Sequence, residues 1–423
     1  MIRRLATALA AASVLALPAF AQALVVRGET VWTGTEQGTI SNGVVVIEDG
    51  RITAVGGAGT AIPDGATIIS SEWVTPGLIS AFSRTGLVEV GAEDSTNDTL
   101  AAATTYSVAL NAADGFNPDA TPIDVTRIEG FTRLVVAPDT GNSMFAGQGF
   151  IADTSGDLDS ELTERAFTFI ALGEAGAGLS GGSRQAAMVR LRAAFDDVRS
   201  FRARYIAHNE GNALNRVDAQ AFTPAVRGEQ LILIQAHRAS DLNAIMDFAE
   251  EEPSLRIAIV GGDEAWRVAP RLASLEIPVI VDTFSNLPSS FEHLGATAEN
   301  AARLVEAGVT IAIVHLGDNS HQARLATQVA GNAVANGLDF DDALAALTTG
   351  PADIFGMTGY GRLVPGARAD VVAWDGDPLE VVSAPVAVII DGDVQSLESR
   401  QTRLRDRYLS LDESERPHAY ARP

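Results

Sequence analysis

The sequence predicts an α/β protein, a TIM-type (β/α)8 barrel with a small β domain beside it. Three observations lead there. From residue 230 onward, short β-branched strands alternate with amphipathic helices, the rhythm of a parallel sheet. Residues 24–72 instead hold short apolar strands separated by tight turns. The chain has 423 residues and 46% hydrophobic content, enough for one large core and a satellite, and at this length a closed barrel is the expected form of the sheet.

The elements follow in order. Met1 to Ala21 reads as a secretion signal: Arg3 and Arg4 open it, Leu5 to Leu17 is apolar, and Ala19-Phe20-Ala21 has the small-x-small form of a cleavage site. The apolar run is shorter than the roughly 20 residues that span a bilayer, and no later stretch is long and apolar enough either. Leu24-Val25-Val26, Thr30-Val31-Trp32, Val44 to Ile47 and Ile52 to Val55 read as strands, and Glu48-Asp49-Gly50-Arg51 as a hairpin turn. Pro76-Gly77 turns the chain into a strand at Leu78-Ile79, whose continuation places Ser80, Phe82 and Arg84 at a barrel mouth. Ile128 to Pro138 reads as a turn into a buried strand, and Gly141 to Gly149 as a loop. Ser183 to Tyr205 is a helix with Met188, Leu191, Phe195 and Val198 on one stripe. Its six arginines, Arg184 among them, read as a solvated face pairing with the protein's own carboxylates. Strands then follow at Leu231–Ile234, Ile257–Val260, Val279–Val281 and Thr310–Val314, with helices between them.

Composition excludes several functions. The formal net charge of −24 argues against nucleic acid, whose phosphates call for basic side chains, and against anionic membrane surfaces. There is no cysteine, so an exported chain would depend on core packing rather than disulfides. All 30 basic residues are arginine. Thiol and Schiff-base chemistry are thereby excluded. The expected address is periplasmic or secreted, with no membrane anchor after signal cleavage.

Val74-Thr75-Pro76-Gly77-Leu78-Ile79, together with Gly361-Arg362-Leu363-Val364-Pro365-Gly366-Ala367-Arg368-Ala369-Asp370-Val371-Val372 near the other end, resembles the amidohydrolase superfamily, in an imidazolonepropionase-like form. The resemblance implies a β-sandwich composed of 22–76 and 361–397, a barrel over 77–360 with a helical insertion at about 155–228, and a C-terminal helix and tail over 398–423. It also implies hydrolysis of carbon–nitrogen bonds in small amides or cyclic amides. In that family the first barrel strand continues as Asp-x-His-x-His, and its histidines bind a divalent metal. Here Ser80, Phe82 and Arg84 stand at those positions, and neither Phe82 nor Arg84 binds a metal. Without lysine, the carboxylated lysine that bridges two metals in many relatives is impossible.

A metal hydrolase needs three or more converging ligands. His237 follows the strand Leu231–Ile234 and reads either as the family's mid-barrel ligand or as a structural histidine. The next strand ends in Gly261-Gly262, where the family has another histidine, so both glycines are placed at the substrate pocket. His315, Asp318 and His321 share one loop. With His237 they would form a rebuilt site for one divalent metal, zinc foremost, with Asp318 as base. Asn319-Ser320 in that loop also reads as a helix N-cap, with Asp318 favouring the helix start. In a metal-free variant Arg84 would polarise the carbonyl. The competing reading is a catalytically inactive barrel that binds a small-molecule ligand, forms a homo-oligomer, or pairs with an intact homologue.

Overall fold

The structure, a computed structural model, describes residues 23–206, 212–409, 411, 412 and 414. The expected signal at 1–21, part of the polar segment 207–228 and most of the tail lie outside the described residues. The strands are β1 (Leu24–Trp32), β2 (Thr39–Glu48), β3 (Arg51–Gly56), β4 (Thr67–Pro76), β5 (Leu78–Ser83), β6 (Phe131–Val136), β7 (Phe145–Asp153), β8 (Glu161–Ala171), β9 (Leu231–Ala236), β10 (Arg256–Gly261), β11 (Val279–Val281), β12 (Ile311–Ile313), β13 (Val371–Trp374), β14 (Pro385–Ile390) and β15 (Asp393–Val394). No helix among the described residues is long and apolar enough to cross a membrane.

Both chain ends build one seven-stranded sheet, ordered β15-β14-β13-β4-β1-β2-β3. It curls on itself. Edge strand β3 returns to the segment before β13, where Ile52 N donates to Ala367 O at 3.0 Å and Ala369 N to Gly50 O at 3.0 Å. Val26, Val45, Ile47, Val371 and Ile389 pack inside the curl.

The second sheet has eight strands in the order β12-β11-β10-β9-β8-β7-β6-β5 and forms a TIM-like barrel. Its seam, between β12 and β5, is bridged by a turn: Ile313 N donates to Ala346 O at 2.9 Å and Ile79 N to Leu347 O at 2.8 Å. Ile79, Ala81, Val135, Phe169, Leu233, Val260 and Val314 fill the interior. Leu78, Ile234, Ile259 and Val281 alternate with them and pack outward against the helices.

Two expectations need correction here. β7 runs antiparallel to both neighbours, so a hairpin strand replaces one βα unit. The stretch expected as a loop, Gly141–Gly149, therefore already enters a strand at Phe145. Its glycines serve close packing rather than looping: a Cβ on Gly149 would lie 2.0 Å from the Phe167 ring, and one on Gly147 would lie 2.7 Å from Leu110 O. The region expected as a helical insertion from about 155 likewise begins with barrel strand β8, in which Phe167, Thr168, Phe169 and Ile170 favour a sheet. The long helix after it ends at Arg199 and resumes at Phe201.

Barrel and curled sheet are joined through Arg133 of β6, which is fully buried. Its guanidinium pairs with Asp370 at 2.6 and 2.7 Å, Asp391 at 3.0 Å and Asp153 at 3.4 Å. Burial opposes its charge, but Asp370 and Asp391 outweigh that and raise its pKa. Burial also works against charge on Asp391, yet Arg133 and Arg368 hold that carboxyl below its ordinary range. Asp370→Ala removes the two shortest contacts of a buried cation, so we expect urea denaturation to show a loss of about 3–5 kcal/mol. A carboxyl with a depressed folded pKa stabilises above its unfolded pKa of 3.8 and loses that contribution as pH falls through the folded value. Stability should therefore fall less steeply on acidification below about pH 4 in Asp391→Asn than in the parent, as read from urea midpoints across pH.

Candidate active site

The C-terminal ends of β5, β9, β10, β11 and β12 converge on a hollow of about 430 Å³. Its polar wall includes Arg84, His237, Asp263, Asp282, His293 and His315, and its apolar wall Phe82, Val260, Phe284 and Leu316. A larger hollow, about 700 Å³, lies at the opposite rim near the starts of β9 and β10 and is bordered by Leu231 and Arg256. In an α/β barrel the chemistry sits at the C-terminal rim, so the smaller hollow is the candidate.

His237 follows β9, and its Nδ1 is paired directly with the Asp263 carboxylate. Asp263 reaches it because Gly261 and Gly262 turn the end of β10 with φ of +95° and +61°. A Cβ on Gly261 would lie 2.4 Å from the His237 ring, so only glycine leaves space for the imidazole. His293 comes from the long loop after β11. Its Nε2 lies 3.6 Å from the same Asp263 oxygen, and its Nδ1 is 2.6 Å from Ser290 Oγ. The two imidazoles lie against each other with centroids 4.5 Å apart and planes tilted by 46°. Burial would raise the Asp263 carboxyl, but His237 outweighs it and holds the group below its ordinary range. Burial opposes charge on His237, and Asp263 in turn raises its pKa. Asp263 Oδ1 is buried and has no hydrogen-bond partner among the described residues.

A second pair stands in the same hollow. Asp282, directly after β11, accepts from Phe284 N at 2.9 Å and Leu316 N at 2.8 Å, and its Oδ2 is 3.5 Å from His315 Nδ1. Burial pushes the Asp282 carboxyl above its ordinary range. Arg84, after β5, pairs with Asp139 at 2.9 Å and donates to Asn319 Oδ1 at 3.1 Å. Its guanidinium carbon lies 5.7 Å from the Phe82 ring centroid.

Of the residues singled out in the sequence, Phe82, Arg84, His237 and His315 line this hollow. Ser80 is buried in the wall instead, because β5 shifts register between Ser80 and Ser83 and strict alternation breaks there. Gly261 and Gly262 shape the hollow from behind His237. Asp318 and His321 stay outside it: they pair with each other at 3.6 Å, and His321 Nε2 is 3.3 Å from Glu89 O. The expected set of His237, His315, Asp318 and His321 is thus not brought together. Asp263, Asp282 and His293 were missed as site residues. Asp282 comes one residue and Asp263 two residues after a strand end, and that position is the signal that would have found them. His208 and His418 lie outside the described residues.

The sequence model of the Amidohydrolase family matches residues 334–395. A curated relative, "Amidohydrolase tasK" of Hapsidospora irregularis, is 25% identical over 88% of this chain and 43% of its own length, so this chain spans less than half of it. The crystal structure of an amidohydrolase from Thermotoga maritima MSB8 superposes with a TM-score of 0.77 at 26% identity, covering 88% of this chain and 99% of that one. In fold, and in sequence over residues 334–395, the chain is similar to the amidohydrolase superfamily. A triazine hydrolase variant shares the fold at a TM-score of 0.56 and 14% identity, over 91% of this chain and 98% of its own.

Amidohydrolases generally use a divalent metal. By the sequence resemblance, Phe82 and Arg84 stand at the first-strand ligand positions, and neither side chain binds a metal. The donors do fit one ion. One ligand atom each from His237, Asp263 and His293 lies within 4.8 Å of the others, and the unpartnered Asp263 oxygen suits a cation. Gly261→Ala should displace the His237 ring and cost about 1–3 kcal/mol. Urea denaturation and zinc uptake measured on the same protein check this; an unchanged midpoint with unchanged uptake would contradict the packing.

Proposed function

We propose that this amidohydrolase-superfamily chain hydrolyses carbon–nitrogen bonds of small amides or cyclic amides in the hollow at the C-terminal rim. One divalent ion would be held by His237, Asp263 and His293. The observation that carries the reading is the convergence of these three side chains from β9, β10 and the loop after β11. A bound ion supplies Lewis-acid activation of water and of the amide carbonyl.

The chain's own groups do the rest. Asp263 contacts the His237 ring at Nδ1 and so orients it beside the carboxylate with which it would hold the ion. Ser290 engages His293 at Nδ1, which leaves Nε2, the atom facing Asp263, as its ligand atom. His315, with Asp282 behind it, takes the proton from the attacking water and returns it to the leaving nitrogen. Arg84, held by Asp139 and Asn319, donates to the carbonyl oxygen as negative charge develops there. Phe82, Val260, Phe284 and Leu316 keep bulk water from the reacting atoms.

One observation favours a second reading. Phe82 and Arg84 line the hollow where, by the sequence resemblance, ligands would stand, and Arg84 brings a fixed positive charge to it. An inactive ligand-binding barrel, or a partner of an intact homologue, would have that arrangement. Elemental analysis of protein purified without a histidine tag separates the two. About one zinc, manganese or iron per chain, lost in His237→Ala together with more than about 100-fold of any amide hydrolysis, supports the hydrolase. No bound metal and no hydrolysis on adding one supports the inactive barrel.

A further inference from the structure

We infer that Arg184, on the helix Arg184–Arg199, positions His293 for the candidate site by gripping Glu292. The inference rests on the reading that His293 serves that site. His293 lies in the stretch between Asp282 and Glu299, which contains neither helix nor strand. The apolar side chains flanking it do not hold it in place, since Phe291 is 80% and Leu294 64% exposed. Ordering such a loop costs about 1–2 kcal/mol per residue in backbone entropy, and the opposing contacts are polar.

There are two anchors, one on each side of His293. Glu292 is buried, and its Oε2 accepts from Glu174 N at 2.8 Å and Arg184 Nη2 at 3.3 Å. Arg184 is itself oriented by Asp241, which accepts from its Nε at 2.8 Å. The carboxylate fits closely against Gly173, where a Cβ would lie 2.8 Å from Glu292 Oε2. On the other side, Gly295 N donates to Glu264 Oε1 at 2.8 Å, and Trp266 Nε1 donates to Gly295 O at 2.8 Å. Glu264 is buried and also accepts from Ala239 N at 3.0 Å and Arg267 Nη1 at 3.1 Å. The second anchor is fixed to the same end of β10 that carries Asp263. The first depends on Arg184, 57 residues from Asp241 and 108 from Glu292 in sequence. Its fork reaches both carboxylates, which a single ammonium does less well. Arg184 touches no reacting group; it acts through Glu292 and is a positioning residue.

The test uses the full chain with Arg184→Met, which keeps the stem and removes the fork, and Arg184→Lys, which keeps the charge. Hydrogen exchange by mass spectrometry reads the loop, and competition with a chromophoric chelator reads zinc affinity. The expected result for Arg184→Met is faster exchange confined to residues 282–299, unchanged protection of β9 and β10, and zinc affinity about 10–100-fold weaker, with Arg184→Lys in between. Unchanged exchange in the loop, or a loss of protection spread over the whole barrel, overturns the inference. Should the parent protein bind no zinc, the metal reading falls while exchange alone decides the anchor: a rise confined to the loop upholds it, and no rise overturns it.

Discussion

A carboxylate buried at a barrel mouth needs polar partners, and Asp263 meets imidazoles brought from two other parts of the chain. That requirement organises four consecutive residues. Gly261 clears space for the His237 ring, and Gly262 completes the turn, its carbonyl held by Asn300 Nδ2 at 3.0 Å. Asp263 then meets both histidines, and Glu264 anchors the backbone two residues beyond His293. The end of β10 therefore supplies the hub of the site and also one of the anchors for the loop that completes it. A change in this turn is felt by His237 and His293 together.

The first barrel strand contributes packing and a charge of its own. Phe82 packs edge-on against Phe169, with centroids 5.2 Å apart, and fills space in the barrel interior. Arg84 carries its own counterion, Asp139, so its charge needs no compensation from Asp263 or Asp282. The electrostatic balance of the hollow is thus divided into separate pairs: Arg84 with Asp139, His237 and His293 with Asp263, and His315 with Asp282. Such a division leaves Asp263 as the carboxylate with an unsatisfied oxygen, and limits the described residues to one compact donor group.

Much of the scaffold was legible because it is written locally. Period-two apolar runs, glycine stops and the Pro76-Gly77 turn located most strands. The antiparallel strand β7 was not legible, because its glycines signal a turn as readily as the close approach of Phe167 that they serve. At the site, residues next to a strand end were readable in principle, and His237 was. Position in a loop is not: Asp318 and His321 share a loop with His315 but turn outward, whereas His293 reaches the hollow from a loop with no periodic signal. Arg184 shows the same limit. Helical periodicity places it among five other arginines on a surface face, and only the tertiary structure brings Glu292 and Asp241 to it.

The segment matched by the family model shows why fold and chemistry can be read with such different ease. Residues 334–395 include Ala346 and Leu347, whose carbonyls bridge the barrel seam, and Gly350, where a Cβ would lie 2.2 Å from Ile311 O. They also include Asp370 and Asp391, which neutralise buried Arg133 and tie the curled sheet to β6. These are constraints of closure and charge burial, and a chain must meet them whatever reaction it performs. Arg84, His237, Asp263, His293 and His315 all lie outside that segment. The match therefore reports on what closes the barrel, and the chemistry has to be argued from the hollow itself. There a buried carboxylate joining two histidines defines what the site can hold.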